Sequence, residues 1–405
     1  MKLLHTSDWH LGRTLYSKKE RHDEHAAFLE WLVGTIEEQK VELLIVAGDV
    51  FNTPSPSSAS QKMYYEFLVK ATQIGCENII IIGGNHDSPS FLNAPKEVLS
   101  TLNITVIGNA TDDINEEIIE IKDSDGKTKL LVCAVPFLRE RDISKFLEQE
   151  NYTDRTERIN ESIKNHYEKI AQVAEDKRNE LGINIPIIAT GHLSVLGGKR
   201  DTDDGVRETY IGNIQAISSD IFPKTFDYIA LGHYHIPSVI KHHIRYSGSP
   251  IPMGFAETNQ KKCVYVVDFQ NEVDIQTIEV PTFQKMESIR GDKNFIENRI
   301  AELKETNSSV WIEVVYDGDE VFHNLSDWAN ELVENSEIEI LKLQNIQNLN
   351  KVLTQTDTTE LLDNLDVFEV FDTMLEKNDI SEAQREELRT SYKEIVDTIQ
   401  INNPL

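Results

Sequence analysis

A chain of 405 residues, 39% hydrophobic and 27% charged with 19 Gly and 12 Pro, can enclose two or three cores, and it excludes a fibre, a low-complexity tail and a small peptide scaffold. Its three cysteines, Cys76, Cys133 and Cys263, lie far apart without C-x-x-C spacing, which points to a reducing compartment and against both a disulfide framework and a thiolate zinc site. The formal net charge of −29 divides into −13 on residues 1–280 and −16 on the shorter 281–405, which suits a basic partner surface or solubility; bound cations would offset part of it, so a polyanionic substrate stays open.

The opening residues reach Asp8 too soon for a signal-peptide core, and no apolar run approaches the roughly 20 residues of a membrane helix, so a cytoplasmic protein is expected. Through residue 270 the chain repeats one pattern, a short β-branched run that stops at Gly, Asp, Asn or His and is usually followed by a helical stretch. That is the grammar of an α/β fold. Strands are expected at 2–6, 41–47, 78–82, 130–135, 185–190, 228–231 and 264–269. Covering helices are expected at 24–38, with Phe28, Trp31 and Leu32 at helical spacing, and at 61–72, with Tyr64, Tyr65, Leu68 and Val69.

The texture changes after Val280-Pro281. Strand-like 282–289, helical 294–304, strand-like 310–316, helical 325–333 and strand-like 338–343 read as a small βαβαβ unit. The expected division is a main domain over 1–280, a small α/β capping domain over 281–345, a polar linker over 346–365 and a helical hairpin over 366–405. In the hairpin, helices are expected at 367–375 and 382–399; Ser381 and Gln384 form a capping box, and Leu388, Tyr392, Ile395 and Ile399 share a face.

Five strand ends carry metal-type donors: Asp8-Trp9-His10, Gly48-Asp49, Gly84-Asn85-His86-Asp87, Gly191-His192 and Gly232-His233-Tyr234-His235. Singly, each reads as a turn, a helix cap or a hydrogen-bonded structural histidine. Jointly they matter, because the carboxyl ends of neighbouring strands converge on one crevice. The set mixes oxygen and nitrogen without thiolate, which suits manganese, iron or zinc. Seven candidate donors, Asp8, His10, Asp49, Asn85, His192, His233 and His235, exceed what one ion can use, so two ions about 3.5–4 Å apart are expected, with Asp49 the candidate bridge.

In that order these motifs resemble the signature of the calcineurin-like metallophosphoesterase superfamily. The text around them, Leu4-His5-Thr6-Ser7-Asp8-Trp9-His10-Leu11-Gly12, Ala47-Gly48-Asp49-Val50-Phe51 and Tyr246-Ser247-Gly248-Ser249-Pro250-Ile251-Pro252, is similar to the bacterial SbcD nuclease subunits over the whole chain. The resemblance implies a two-sheet core flanked by helices, acting as a manganese-dependent double-strand exonuclease and single-strand or hairpin endonuclease. It also implies a homodimer within a heterotetramer, partnered through the C-terminal hairpin by an SbcC-type coiled-coil ABC ATPase. Asp8, His10, Asp49 and His235 would hold one manganese, and Asp49, Asn85, His192 and His233 the other. His86 would stay off the metals as a general acid or transition-state donor, with Asp87 orienting it. Archaeal relatives carry a His where this chain has Asn52, so any role of that His does not transfer.

Basic residues beside the donors, Arg13, Lys18, Lys19, Arg21, Lys199, Arg200 and Arg207, are candidates for contact with a DNA backbone, against the reading that they are solvated surface. Two other readings compete: the same site acting on a phosphoprotein, a nucleotide or a cyclic nucleotide, and a largely non-catalytic scaffold. Phosphoprotein phosphatases carry Gly-Asp-x-x-Asp-Arg-Gly, whereas Gly48-Asp49-Val50-Phe51-Asn52-Thr53 lacks the arginine clamp for a phosphate monoester. A non-catalytic scaffold for the ATPase is disfavoured by the complete donor set.

Overall fold

The β-branched runs pair into two six-stranded sheets. In the first, strands Lys2–Thr6, Leu43–Ala47, Asn78–Ile82 and Ile104–Ile107 run parallel, extended by antiparallel Cys263–Asp268 and Asp274–Glu279. In the second, Thr128–Cys133, Ile187–His192, Tyr228–Gly232 and Ile244–Tyr246 run parallel, with antiparallel Ile118–Lys122 and Ser238–Lys241 at the edges. This computed structural model describes residues 1–16, 18–123, 125–143, 155–198, 216–270, 273–318, 324–346 and 389. The expected linker beyond residue 346, the hairpin over 366–405 apart from residue 389, and Lys199, Arg200 and Arg207 lie outside the described residues.

The sheets stack face to face. Leu3, Leu43, Ile45, Ile80 and Ile82 of the first meet Leu130, Val132, Ile188, Tyr228 and Ala230 of the second in a dry middle layer. Alternate residues point the other way, as the period of a strand requires. Leu4, Leu44, Val46, Ile79 and Ile81 pack with Phe28, Leu32, Phe67 and Leu68 of helices His22–Gln39 and Ser58–Gln73. Leu131, Cys133, Ile187, Ala189 and Leu231 pack with Ile163, Tyr167, Ile170 and Ala174 of helix Arg155–Leu181. Strands buried on both faces read as unbroken apolar runs, which is why their positions are legible in the sequence. Helix Arg155–Leu181 lies outside the expected elements. Its apolar stripe is narrow and set among charged residues, and becomes meaningful only against the second sheet.

Residues 1–344 form one unit and 345–405 another. Within the first, strands Lys285–Gly291, Val310–Tyr316 and Ile338–Asn345 make a separate three-stranded sheet with helices Lys293–Glu305 and Leu325–Val333. Ile289, Ile296, Ile300, Leu303, Ile312 and Val314 form its own core. The N-terminal loop docks there: Leu15 joins Met286, Trp311, Leu341 and Phe255 in a small cluster.

Ile170 has no exposed surface in the layer between helix Arg155–Leu181 and the second sheet. Ile170→Ala is expected to cost about 2–5 kcal/mol, read as a lower urea midpoint at unchanged slope; a change under about 0.5 kcal/mol, the range of ordinary surface substitutions, would contradict that packing.

Candidate metal centre

Because the parallel strands of both sheets end at one edge, five of them deliver side chains to the same place. Strand Lys2–Thr6 leads into Asp8 and His10, Leu43–Ala47 into Asp49, Asn78–Ile82 into Asn85 and His86, and Tyr228–Gly232 into His233 and His235, while His192 closes strand Ile187–His192. The first two loops are laced together: Asp8 N–H donates to Gly48 O at 3.0 Å, His10 N–H to Asp49 O at 3.0 Å and Leu11 N–H to Val50 O at 2.9 Å. Asp8, His10, Asp49 and His233 all adopt positive φ, at 52°, 46°, 50° and 103°. Such backbone is uncommon outside glycine and concentrates at functional sites. Two glycines are required by close approach: a Cβ on Gly84 would strike the Asp49 carboxylate, and one on Gly232 would strike the Ala47 carbonyl.

Asp49 sits at the centre. Its Oδ2 lies 3.6 Å from His10 Nε2 and 3.3 Å from His192 Nε2, and its Oδ1 accepts the His86 backbone N–H at 2.9 Å. On one side, donor atoms of Asp8, His10 and His235 fall within 4.8 Å of one another, with the Nε2 atoms of His10 and His235 facing at 3.1 Å. On the other, Asn85 Oδ1 lies 3.0 Å from His192 Nε2 and 3.1 Å from His233 Nδ1. Asp8, His10, Asp49, His192 and His235 are buried, and Asn85, His86 and His233 form a half-buried rim. The sequence-derived donors are therefore brought together around Asp49, and the groupings overlap: His10 and Asp49 also gather with His86, and Asp8 and Asp49 with His192.

The electrostatics fit divalent cations. Among the described residues neither Asp8 nor Asp49 pairs with a Lys or Arg, and buried carboxylates require a compensating charge. Burial holds His10 well below its usual pKa, so its ring is neutral and offers a lone pair. Burial pushes Asp8 up. Burial also acts to raise Asp49, but the charge on His192 and its hydrogen bond outweigh it and hold that carboxyl well below the usual range. Burial opposes charge on His192 too, yet Asp49 outweighs it and lifts the imidazole to about 9. A cation held by both would take over that charge pair and leave the ring neutral. Facing imidazole nitrogens, carboxylate oxygens and an amide oxygen without thiolate match a middle first-row ion.

The Asp87 carboxylate meets backbone rather than the His86 ring: it accepts N–H groups from Gly84 at 2.9 Å, Val50 at 3.1 Å and Phe51 at 3.0 Å, stapling two donor loops together. Burial, then repulsion from Asp49, raises its pKa to about 6. The His86 ring is placed instead by the Asn52 carbonyl, 3.1 Å from Nδ1, and meets the His10 ring edge-on with centroids 4.9 Å apart. Asn52 thus contributes its backbone to His86, while its side chain faces Arg13 at 3.5 Å.

Arg13 and Arg21 are turned inward rather than toward a substrate. Arg13 Nη2 donates to Met253 O at 2.9 Å, and Arg21 makes a buried two-pronged pair with Glu24 at 2.6 and 2.7 Å. Lys19 pairs with Glu339 at 2.5 Å and lies over the Trp311 ring, so it serves the contact with the small sheet. Lys18 is exposed.

Three site residues escaped the sequence reading. Arg139 Nη2 donates to Gly84 O at 3.2 Å and Asp87 O at 2.9 Å, bracketing Asn85 and His86. Behind His235, Glu257 pairs with Lys262 at 2.5 Å, both buried. None lies in a donor motif; only their partners, far away in the chain, reveal them.

Two family profiles match the chain: calcineurin-like phosphoesterase over residues 1–237, and type 5 capsule protein repressor C-terminal domain over 282–379. The chain is similar to the SbcD subunit of the nuclease SbcCD from Escherichia coli (strain K12), 34% identical over 405 residues and covering 98% of each protein. It is 32% identical over 291 residues to the SbcD protein of Rhodobacter capsulatus, covering 69% of each. To that of Bacillus subtilis (strain 168) it is 31% identical over 272 residues, covering 66% of each.

With Oδ2 of Asp49 between both donor sets, Asp49→Asn is expected to lower uptake of both divalent ions together. Elemental analysis of the purified variant checks this, and loss of a single ion would contradict a shared carboxylate.

Proposed function

The chain belongs to the calcineurin-like phosphoesterases and, within them, to the SbcD proteins, and from that premise we propose that it is the manganese-dependent nuclease subunit of an SbcCD-type complex, hydrolysing DNA phosphodiesters during end processing, repair and recombination. The observation that carries this reading is the position of Asp49 Oδ2 between His10 and His192, which makes one carboxylate common to two donor sets. Asp8, His10, Asp49 and His235 would hold one cation, and Asp49, Asn85, His192 and His233 the other. When bound, the cations supply Lewis-acid polarisation of the phosphodiester and acidify water enough for attack on phosphorus at neutral pH.

The remaining work falls to the side chains. The buried floor of Asp8, His10, Asp49, His192 and His235 excludes bulk water, which strengthens every charge interaction at the reacting group. His86 stands on the rim, tied through its N–H to the shared carboxylate and through Nδ1 to Asn52 O. Held so, the His86 ring would donate a proton to the departing alkoxide as the P–O bond to it breaks and the new P–O bond forms to the attacking water, whose own proton passes to solvent. Asp87 and Arg139 act behind it by fixing the loop that carries Asn85 and His86. No covalent intermediate with the protein is needed.

Residues 1–280 carry this chemistry and 281–345 cap it, supported by a separate core in the small sheet and by a second profile that starts at residue 282. The linker 346–365 leads to the hairpin 366–405, which docks a coiled-coil ABC ATPase of the SbcC type. A homodimer within a heterotetramer follows from the same premise; Val69, on helix Ser58–Gln73 where the dimer contact is placed, is exposed. Backbone contact with DNA falls to Lys18 and to Lys199, Arg200 and Arg207. No helix among the described residues is long and apolar enough to cross a membrane.

Incubation of purified protein with labelled duplex, hairpin and single-stranded DNA in manganese or magnesium, with and without the ATPase, tests the reading; absence of cleavage under every condition would overturn it. His86→Ala is expected to keep its metal content and lose about 10²–10⁴-fold in hydrolysis, and undiminished cleavage would remove His86 from the chemistry. Deletion of 366–405 should abolish co-purification with the ATPase while sparing manganese-dependent cleavage of short substrates.

A further inference from the structure

His235 is a donor in the first set, and what stands behind its ring is unusual. Glu257 follows it by a turn at Phe255–Glu257 and has no exposed surface. Its Oε2 is fully engaged, accepting from Lys262 Nζ at 2.5 Å and from Met253 N–H at 2.9 Å. Its Oε1 has no hydrogen-bond partner among the described residues and lies 3.7 Å from His235 Nδ1. Lys262 commits all three ammonium protons to the same place: to Glu257, to the His235 carbonyl at 2.9 Å and to Ser249 Oγ at 3.0 Å. The pair therefore holds the His235 backbone through Lys262 and faces its ring with Glu257 Oε1. Buried ion pairs add little net stability compared with apolar side chains of the same size, so a pair placed directly behind a metal donor calls for another purpose.

We propose that Glu257 is a positioning residue for the first cation: its carboxylate holds the His235 proton on Nδ1 and so turns the Nε2 lone pair toward the metal, with Lys262 fixing the carboxylate in place. This rests on the two-cation reading above and adds to it a residue and an ion pair that no donor motif contains. The analogous partner for His192 is a backbone carbonyl, Ala47 O, 2.9 Å from its Nδ1. Outer carboxylates or carbonyls of this kind set the tautomer of a ligating imidazole and raise its basicity. Cation binding at Nε2 makes Nδ1–H a stronger donor, and closing the 3.7 Å separation by less than 1 Å brings it into hydrogen-bond range.

The test is titration of the full-length protein with Mn(II) alone, followed by electron paramagnetic resonance, and with Co(II), followed by visible absorption, both without DNA. Glu257→Gln and the doubly neutral Glu257→Gln/Lys262→Met are expected to weaken one of two Mn(II) sites about 10–100-fold, to leave the other unchanged, and to shift the Co(II) bands of the weakened site. The double variant leaves no buried charge unpaired, so it reports even where the single variant does not fold. Two sites of wild-type affinity, or equal weakening of both with unshifted bands, would overturn the proposal. A wild-type chain that bound no Mn(II) would overturn the metal-centre reading with it. A chain that shows the one-site pattern yet cuts no DNA would support the role of Glu257 and overturn the nuclease reading alone.

Discussion

A single buried carboxylate organises this protein. Asp49 lies between His10 and His192 with no Lys or Arg paired to it among the described residues, and a carboxylate taken out of water is tolerable only beside compensating charge and hydrogen bonds. Here that demand is met by imidazoles from both sheets and by the His86 N–H. The geometry that satisfies Asp49 is also the geometry that gathers seven nitrogen and oxygen donors in one place, so charge balance and the donor cluster share one solution.

The sheets supply the rigidity this requires. Strands such as Leu43–Ala47 and Tyr228–Gly232 are buried along their whole length, and their ends cannot drift without opening the middle layer. Against that frame the donor loops hold four non-glycine residues at positive φ. Each such residue is disfavoured by about 1–3 kcal/mol. The hydrogen bonds that lace the Asp8 and Asp49 loops, and the Asp87 carboxylate that gathers three N–H groups, offset it locally. The Asp87 oxygens thus serve the backbone of the donor loops rather than the His86 ring.

Basic residues show the same division. Arg21, Arg13 and Lys262 are consumed inside, by Glu24, by the Met253 carbonyl and by Glu257. Lys19 is taken up by Glu339 and Trp311 of the small sheet. A count of Lys and Arg near the donors overstates the charge available to a polyanion, and with a formal net charge of −29 the electropositive character of the centre has to come from its cations more than from its surface.

The strands and the donors are legible in the amino-acid order because each depends on local chemistry: β-branched runs buried on both faces, and Asp, Asn or His where such a run stops. Lys2–Thr6 and Asn78–Ile82 lie where the pattern puts them, and others, such as Thr128–Cys133 and Ile187–His192, are displaced by two residues, since run boundaries depend on pairing partners. What only the tertiary structure decided is which groups meet across long stretches of chain. Glu257 reaches His235, Arg139 reaches Gly84 and Asp87, and Arg21 donates to the Pro252 carbonyl. Those contacts carry no periodicity and no spacing, because the distance that matters to a hydrogen bond is measured through space, after two sheets have closed on a common core.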